Sequence, residues 1–454
     1  MNYIEQLLTL FRNKILTATG ASRDLMQLIS DGDVYGAIRM MEDHDDEVDQ
    51  ALREYNPELH KVMRRRVKFR RGKNPYIPEM LPRNRAEYIN EVETFFLFDR
   101  GIEWTLKDGD EEAFNIFKDF LAEQFFDNTW AEIKTIAGAE TESAKLYRIT
   151  NDNGRTDVRT VILSRSNGYR LRQMFDQYGQ LQAFAYGTKI KKDGKTREVW
   201  NIETKDFIFF CTKEAIGWNV ETYANPTGKI NVIYCRQHKA SRGVQNRIER
   251  EEMLDSKAGD NNNYFSDPMA KATADVIKNL ASPESIGKIV QITGRDSNFE
   301  YINPPQSSES RAAEKKDLND SILHDTFTPD LSFENLKGLG TLSGTAIMNS
   351  LAIARIKRSR NLRIYEPLIR RDKNIIVEIL CLLHPEKSDA FRNMKLSFSV
   401  REPFADDRKS NREHVARLYA DGVVSLDTAV RLIGVCEDTE AEAERIRKEK
   451  SMLQ

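Results

Sequence analysis

One helical pattern dominates the C-terminal third of the chain. It begins at Ser343, which can cap a helix, and ends near His384, with apolar residues in steps of three and four at Ile347, Leu351, Ala354, Leu362, Tyr365, Ile369, Ile376, Ile379 and Leu383. At about 1.5 Å per residue, such a helix spans roughly 60 Å, which exceeds the diameter of a small domain. Pro367 is expected to kink it, because proline lacks an amide hydrogen. The pattern therefore predicts a long kinked strut within a larger assembly.

A glycine-rich segment, LKGLGTLSGTAIM, leads into this helical pattern at Leu336–Met348. A phosphate-binding P-loop needs a lysine directly after its last glycine, but Thr345 follows Gly344. A dinucleotide fingerprint needs a third glycine where Ser343 stands. The segment matches neither nucleotide-binding motif. We expect a flexible loop instead, because glycine readily adopts positive φ.

The middle of the chain has an alternating pattern. From about Ala144 to Arg236, short runs of β-branched and aromatic residues are separated by turn signals such as NDNG, KDGK and NPTG, which predicts an antiparallel β region of roughly seven strands. Helical patterns surround it, in YIEQLLTLFRNKIL, EEAFNIFKDFLAEQF, QNRIEREEMLD (broken at KAGDNNN), MAKATADVIKNLA and SRAAEKKDLNDSILHDTF. Strand-like GKIVQITG and NFEYIN lie between the last two. Strand-like KLSFSVREP and three short helices, one capped by Ser425 and ended by Gly434, complete an α+β chain.

Composition limits the possible functions. Lys+Arg 69 against Asp+Glu 71 gives a net charge of -2, so any nucleic-acid contact must come from local patches. Four cysteines without Cys-x-x-Cys spacing predict buried thiols in a reducing compartment, at Cys211, Cys235, Cys381 and Cys436. The six histidines show no metal-ligand spacing. With no cleavable signal and no apolar run of about eighteen residues, we expect a soluble intracellular protein with no membrane partner.

Two basic runs are candidates for local contacts. Eight of the thirteen residues from Lys61 to Lys73 are basic, but only Phe69 is available for base stacking, which favours a protein-contact surface over DNA. The second run lies in the long helical pattern and contains Arg355, Lys357, Arg358, Arg360 and Arg363. We favour contacts between subunits for this run, with DNA contact as the alternative.

An enzymatic interpretation rests on Asp193 and Glu203-Thr204-Lys205, whose spacing imitates metal-dependent nucleases. However, Asp193 precedes Gly194 in a hairpin signal, where backbone geometry explains the aspartate. The chain shows no nucleophile setting for a serine or cysteine. The sequence therefore favours a protein that is not an enzyme and holds no cofactor.

Four segments resemble portal proteins of tailed bacteriophages, of the siphophage type. TIAGAETESAKLYRITNDNGRTDVRTV is similar to the family's wing, and NPTGKINVIYCRQ to its strand before the stem, with Asn231 where proline is usual. LSGTAIMNSLAIARIKRSRNL is similar to the end of the family's tunnel loop and the start of its long wing helix. YADGVVSLDTAVRLIGVCEDTEAEAERIRKE resembles its C-terminal helices. The resemblance extends from about Tyr88 to Glu449, and the order of the elements is more specific than any single motif.

The resemblance implies a portal fold with a defined order of parts. These are N-terminal helices and an antiparallel β wing (1–245), a stem helix region (246–281), a small clip (282–307), a second stem helix (308–327), a tunnel loop (328–342), a long kinked wing helix with a returning strand (343–403) and a helical crown (404–454).

The resemblance also implies a function. Copies of the chain, twelve in the family, would form a ring at one capsid vertex, assembled in the bacterial host cytoplasm and retained in the virion. Its channel would carry double-stranded viral DNA without sequence specificity during packaging and ejection. Implied partners are the terminase large subunit, a head–tail adaptor, and the major capsid and scaffolding proteins. Implied DNA-facing residues of the tunnel loop are Asn335, Lys337, Gly338, Gly340, Thr341, Ser343 and Gly344. A minor capsid or other head-morphogenesis protein without a channel is the alternative, followed by the nuclease.

Overall fold

The computed structural model describes residues 24–67, 75–152, 155–192, 194–266, 270–272, 299–301, 308–332, 351–403, 408–434 and 439–452. The helices are α1 (Leu25–Ser30), α2 (Val34–Arg39), α3 (Asp45–Tyr55), α4 (Arg85–Phe98), α5 (Glu111–Glu123), α6 (Phe126–Glu140), α7 (Gln245–Ser266), α8 (Ser308–Asp325), α9 (Ala352–Leu383), α10 (Ser388–Asn393), α11 (Arg408–Ala420), α12 (Leu426–Ile433) and α13 (Thr439–Met452). The strands are β1 (Ile102–Asp108), β2 (Glu142–Asp152), β3 (Arg155–Leu163), β4 (Arg170–Phe175), β5 (Leu181–Lys192), β6 (Lys195–Thr204), β7 (Phe207–Glu214), β8 (Gly217–Ala224), β9 (Val232–Arg236), β10 (Ala270–Ala272), β11 (Phe299–Tyr301) and β12 (Lys395–Val400). The predicted mixture of helix and sheet is confirmed.

The β region forms two antiparallel sheets, with strand orders β4-β5-β6-β7-β8 and β3-β2-β9. One face of the larger sheet packs on α1 and α2 through residues such as Trp200 and Ile202, and the other face packs on the smaller sheet through Phe184 and Tyr186. The antiparallel prediction is confirmed. The sequence pattern missed β8, because this edge strand is largely exposed and places only Trp218 and Val220 against the core.

The main hydrophobic core surrounds the C-terminal half of α9. Tyr365, Ile369, Ile376 and Ile379 are buried there against α4, α5 and α6. Each such side chain contributes roughly 1.5–3 kcal/mol through burial. The predicted long helix is confirmed over Ala352–Leu383, with Pro367 inside it. Its predicted start, 343–350, and the N-terminal pattern YIEQLLTLFRNKIL lie outside the described residues.

The predicted break at KAGDNNN is wrong, because α7 is continuous from Gln245 to Ser266. The extended segment around Glu79 lies against α7 and explains why the helix is continuous. Asp260 accepts hydrogen bonds from the Glu79 amide at 2.8 Å and from Arg65 at 2.5 Å. A Cβ at Gly259 would lie 3.1 Å from the Glu79 Cγ, so glycine permits this close approach. These tertiary contacts outweigh the weak helix propensity of the local sequence.

The predicted helix MAKATADVIKNLA is wrong over Ala270–Ala272, which form β10 and pair antiparallel with β11. Pairing with a distant strand overrides the local helical pattern. The strand predicted in NFEYIN is confirmed by Phe299–Tyr301. The rest of the helical pattern and the strand-like GKIVQITG lie outside the described residues.

The C-terminal predictions agree with the structure. The strand in KLSFSVREP is β12, which pairs with β1. Ser425 accepts a hydrogen bond from the Thr428 amide at 3.3 Å, and Gly434 ends α12 with φ 61°. Cys211, Cys235 and Cys381 are buried free thiols, whereas Cys436 lies outside the described residues. Within the described part of the chain, no helix combines the length and apolarity needed to cross a membrane.

A buried histidine joins the segment before the basic run to α7. The His60 Nδ1 lies 2.6 Å from a Glu252 carboxylate oxygen, and its Nε2 lies 2.9 Å from the Glu54 carbonyl oxygen. Both ring nitrogens face acceptors, so only the imidazolium can donate both hydrogen bonds. Burial opposes this charge, but Glu252 and the Glu54 carbonyl outweigh it and raise the pKa of His60 above its ordinary value.

We predict a pH-dependent contribution of His60 to stability. Because folding raises its pKa, this contribution is full below the unfolded-state value of about 6.5 and is lost as pH rises through the folded value. In urea denaturation, the excess unfolding free energy of the wild type over His60→Gln is expected to shrink from about pH 6 to about pH 9. His324→Gln is the control, since that side chain is 81% exposed. An excess that stays constant with pH would contradict the prediction.

Candidate functional site

The predicted loop residues Asn335, Lys337, Gly338, Gly340, Thr341, Ser343 and Gly344 lie outside the described residues, within 333–350. Both flanks of this segment are described, and they meet on α4. Leu331 on one flank and Leu351 on the other pack in one cluster with Val92 and Phe96. The segment therefore leaves and returns at one place, which we call the loop base: residues 326–332, the start of α9 and the face of α4 that they contact.

Tyr88 of α4 holds the first flank through backbone hydrogen bonds. Its hydroxyl donates to the Pro329 carbonyl oxygen at 3.0 Å and accepts from the Leu331 amide at 2.9 Å. Burial raises the pKa of Tyr88, which keeps the hydroxyl proton available for donation. A single side chain thus satisfies two backbone groups that have no helix or strand to join.

The end of α8 turns the chain into the loop base. The Thr328 amide donates to the Leu323 carbonyl oxygen at 2.9 Å, and Phe327 adopts φ 53°. This is a Schellman-type helix end with phenylalanine where glycine is usual. Left-handed backbone at a bulky residue costs about 1–2 kcal/mol. The Arg360 guanidinium lies 5.7 Å from the centroid of the Phe327 ring, so α9 contacts the strained residue directly.

A buried charge cluster ties the start of α9 to α4 and α6. Lys357 pairs with Glu93 and donates to the Thr326 carbonyl oxygen at 2.5 Å. Glu93 also pairs with Lys134 at 2.9 Å, and Lys134 donates to the Asn90 side-chain oxygen at 2.7 Å. Burial alone would raise the pKa of Glu93, but the two lysines outweigh it and hold the pKa below its ordinary value. The carboxylate therefore stays charged between them.

A second buried cluster anchors α9 on the other side of Pro367. Asp372 accepts hydrogen bonds from Lys145 at 2.8 Å, Tyr147 at 2.7 Å and Trp130 at 3.0 Å. The side chains of Lys145 and Asp372 have 0% exposure. Burial lowers the pKa of Lys145 although Asp372 acts in the opposite direction. No motif in the sequence predicts this cluster, because its members are brought together from α6, β2 and α9.

The basic residues of α9 have different surroundings. Arg355 pairs with Glu402 at 2.7 Å, and Arg358 donates to the carbonyl oxygens of Phe96 at 2.9 Å and Val400 at 2.6 Å. Lys357 is held in the cluster at the loop base. Arg360 and Arg363 are exposed on the helix surface. Three of the five predicted basic residues are thus engaged within the chain, and two remain accessible.

The first basic run contributes to structure where it is described. Lys61 pairs with Glu249 at 2.8 Å and Arg65 with Asp260 at 2.5 Å, both on α7. Residues 68–73 of this run lie outside the described residues. The described side chains therefore hold α7 as well as presenting charge to solvent.

The nuclease alternative gains no support. Glu203 is buried between the sheets, and burial raises its pKa to about 7 while the Asn231 amide and Arg148 act in the opposite direction. Lys205 is exposed and Asp193 lies outside the described residues. Over the described ranges, no group of three or more His, Cys, Asp or Glu side chains could hold a metal ion.

We predict that Lys145→Met destabilises the chain by about 3–5 kcal/mol, because it leaves the Asp372 charge buried without its ion-pair partner. Adding Asp372→Asn is expected to recover part of the loss, since the amide oxygen is neutral and still accepts hydrogen bonds. Urea denaturation measures both effects. Lys107→Met is the control, because Lys107 is at an exposed position of β1, and this change is expected to alter stability by less than about 0.5 kcal/mol. A loss at Lys145 no larger than the control's would contradict the prediction.

Solved structures from gene transfer agent (GTA) particles are similar to this chain, each with 9% sequence identity. A chain of the native GTA virion has a TM-score of 0.39 and covers 78% of this chain and 89% of its own. A chain from the neck of the native particle, computed with C12 symmetry, has a TM-score of 0.40 with 78% and 91% coverage. A chain from the neck of the empty particle, computed with C6 symmetry, has a TM-score of 0.41 with 78% and 89% coverage.

The assignment rests on the family comparison. None of the curated proteins compared with this chain matches it. The family described as "Phage portal protein, SPP1 Gp6-like" matches residues 37–454, which confirms the resemblance found in the sequence. The chain therefore belongs to the SPP1 Gp6-like phage portal proteins, which are structural components of the virion.

Proposed function

We propose that the chain forms a dodecameric ring at one capsid vertex and conducts double-stranded DNA during packaging and ejection. The family match supports this role. The observation that carries our mechanism is the loop base, where Leu331 and Leu351 pack in one cluster on α4. Twelve such bases would present twelve copies of the glycine-rich segment to the channel. Lys337 is the proposed phosphate contact, with Asn335 and Thr341 as weaker polar contacts.

A DNA channel must not hold DNA tightly. Each phosphate neutralised by a lysine or arginine adds affinity, and a duplex that slides must break these contacts continually. The net charge of -2 and the single lysine of LKGLGTLSGTAIM suit this requirement. A rigid base and a glycine-rich segment also suit it, because the segment can follow the duplex while its ends stay fixed.

The described elements support the remaining parts of the proposed portal architecture. α7 and α8 would form the stem, since Arg250 pairs with Glu314 at 2.7 Å and Lys315 with Asp255 at 2.8 Å. In this proposal the β10–β11 pair would lead into the clip, and the first stem helix would end with α7 near Ser266. The sheets would form the wing, and α11, α12 and α13 the crown. The terminase large subunit, the head–tail adaptor, and the capsid and scaffolding proteins are the proposed partners, with no enzymatic activity and no cofactor.

Electron microscopy of the purified protein tests the ring. We expect negative-stain images to show closed rings with a central hole and native mass spectrometry to give twelve copies. A minor capsid protein would give no such hole. A protein that stays monomeric at every concentration, or forms solid particles, would refute the proposal.

We predict that Tyr88→Phe impairs DNA packaging while leaving the ring intact. The change removes one hydroxyl that serves Pro329 and Leu331, at a cost of about 1–3 kcal/mol at the loop base. Tyr178→Phe is the matched control, because that tyrosine is 79% exposed. The measurement is DNA filling of procapsids that carry each variant. Equal filling by both variants would exclude the loop base from the mechanism.

We predict that deletion of Gly338–Thr341 also leaves the rings intact and blocks packaging, because the shortened segment could not follow the duplex. Negative-stain images check the rings, and nuclease-protected DNA per particle measures packaging. Normal DNA filling by the deletion variant would remove the glycine-rich segment from the mechanism.

A further inference from the structure

An exposed face of α9 combines isoleucine with arginine. Ile353, Ile356 and Ile364 are 41%, 52% and 37% exposed, which is high for branched apolar side chains. Arg360 and Arg363 are exposed among them. We call these five residues the Ile/Arg face. Within the described part of the chain, neither arginine has an ion-pair partner.

The Ile/Arg face points away from its own α4. Ala354 and Lys357 contact α4 at the loop base, and Tyr365 is buried against Phe98 of α4. At 3.6 residues per turn, Ile356 and Arg363 lie on the opposite side of the helix from these contacts, whereas Arg360 lies at the edge of that side and also contacts Phe327. Ile356 and Arg363 therefore cannot reach α4 of the same copy.

An acidic cleft lies on the far side of α4. It is about 570 Å³ in volume, is formed by the end of α4 and the start of α6, and contains the carboxylates of Glu91, Asp99 and Asp127 together with Arg100. Glu91 and Asp99 are exposed and have no ion-pair partner among the residues that the structure describes. The cleft therefore presents more negative than positive charge.

An exposed aromatic side chain borders this cleft. Phe125 is 69% exposed, and its neighbouring hollow shares Asp127 and Asn128 with the acidic cleft. Its backbone is left-handed, with φ 48°, which is strained for a bulky side chain. Exposed apolar surface bordered by exposed carboxylates such as Glu91 and Asp99 is the composition of a protein–protein contact rather than of a solvated surface.

We infer that the Ile/Arg face of one copy packs into the acidic cleft of the next copy, so that the ring closes head to tail through successive α4–α9 pairs. The inference rests on the proposed ring. The two surfaces are complementary in charge, and both carry apolar groups that a second copy would cover. Two different surfaces on one chain make a heterologous contact, which generates a closed ring when the rotation between copies divides the circle.

This contact would couple neighbouring loop bases. The acidic cleft is formed partly by α4, which also carries Tyr88, and the Ile/Arg face begins in the first turn of α9, which packs on the loop base. A displacement at one loop base would therefore be transmitted to the next copy through α4 and α9. DNA is a weaker candidate for the Ile/Arg face, because phosphate contacts need polar donors and would leave three isoleucines in water.

Two charge-reversal variants, one for each of the two surfaces, test the contact. The first variant carries Arg360→Glu and Arg363→Glu, and the second carries Glu91→Arg and Asp99→Arg. Each alone is expected to reduce the ring fraction in native mass spectrometry at least about tenfold, because like charges then face each other at every contact. A 1:1 mixture is expected to restore rings containing equal numbers of both variants, since every contact in an alternating ring is complementary again.

The control variant carries Lys189→Glu and Lys191→Glu, the same charge change at exposed positions on β5, and is expected to keep its rings. Recovery in the mixture also excludes misfolding as the cause of ring loss. If both charge-reversal variants form rings at the wild-type fraction, or if the 1:1 mixture forms none, this inference is overturned. The proposed ring itself would still stand. Rings that persist while Arg363→Glu alone loses DNA retention would assign the face to DNA instead, whereas Arg360 also contacts Phe327 of the loop base. A wild type without rings would overturn the proposed function itself.

Discussion

The burial of one carboxylate, Asp372, constrains most of this structure. A charge at 0% exposure is tolerated only when its surroundings supply partners, and here Lys145, Tyr147 and Trp130 supply three hydrogen bonds. The donors come from β2 and α6, so the long helix can occupy only the position where all three converge. Apolar burial of Ile376 and Ile379 would tolerate small shifts of α9, whereas the charge cluster does not. The cluster thereby fixes the helix against the sheet and the helical layer together.

The buried cluster of Lys357, Glu93 and Lys134 gives the N-terminal half of α9 a separate anchor. Lys357 and Asp372 are fifteen residues apart in the numbering, which corresponds to roughly 22 Å along a helix, and Pro367 lies between them. Proline removes one helical hydrogen bond, so the two halves are less strongly coupled through the backbone than in an uninterrupted helix. Each half is instead held by its own ion pair. The loop base is consequently fixed by local contacts with α4, including Glu93 and Tyr88, and does not rely on the stiffness of the whole helix.

The periodicity of the sequence predicts the elements that face a core, but it does not predict features that depend on tertiary contacts. The alternating pattern predicted the antiparallel sheets, and the three-to-four spacing predicted α9, because both report which side chains face a core. The pattern missed β8, an exposed edge strand that is held by its pairing with β7. It also predicted a break in α7, where a contact between Asp260 and Glu79 keeps the helix continuous. The candidate site divides in the same way. The glycine-rich segment was visible in the sequence, but Tyr88 and Glu93 were not, since neither carries a motif and both act through residues more than two hundred positions away.

The distribution of basic residues bears on the proposed DNA channel. A run such as RIKRSRNLR suggests a strongly positive surface when it is read from the sequence. In the fold, Arg355 and Lys357 are neutralised by Glu402 and Glu93, and Arg358 is satisfied by backbone carbonyl oxygens. Only part of the run can therefore act on a partner. In the proposed channel this arrangement matters, because affinity for phosphate rises with every cation that is left free. Because many lysines and arginines pair within the fold, the chain can be rich in basic residues while the proposed channel keeps a low affinity for DNA.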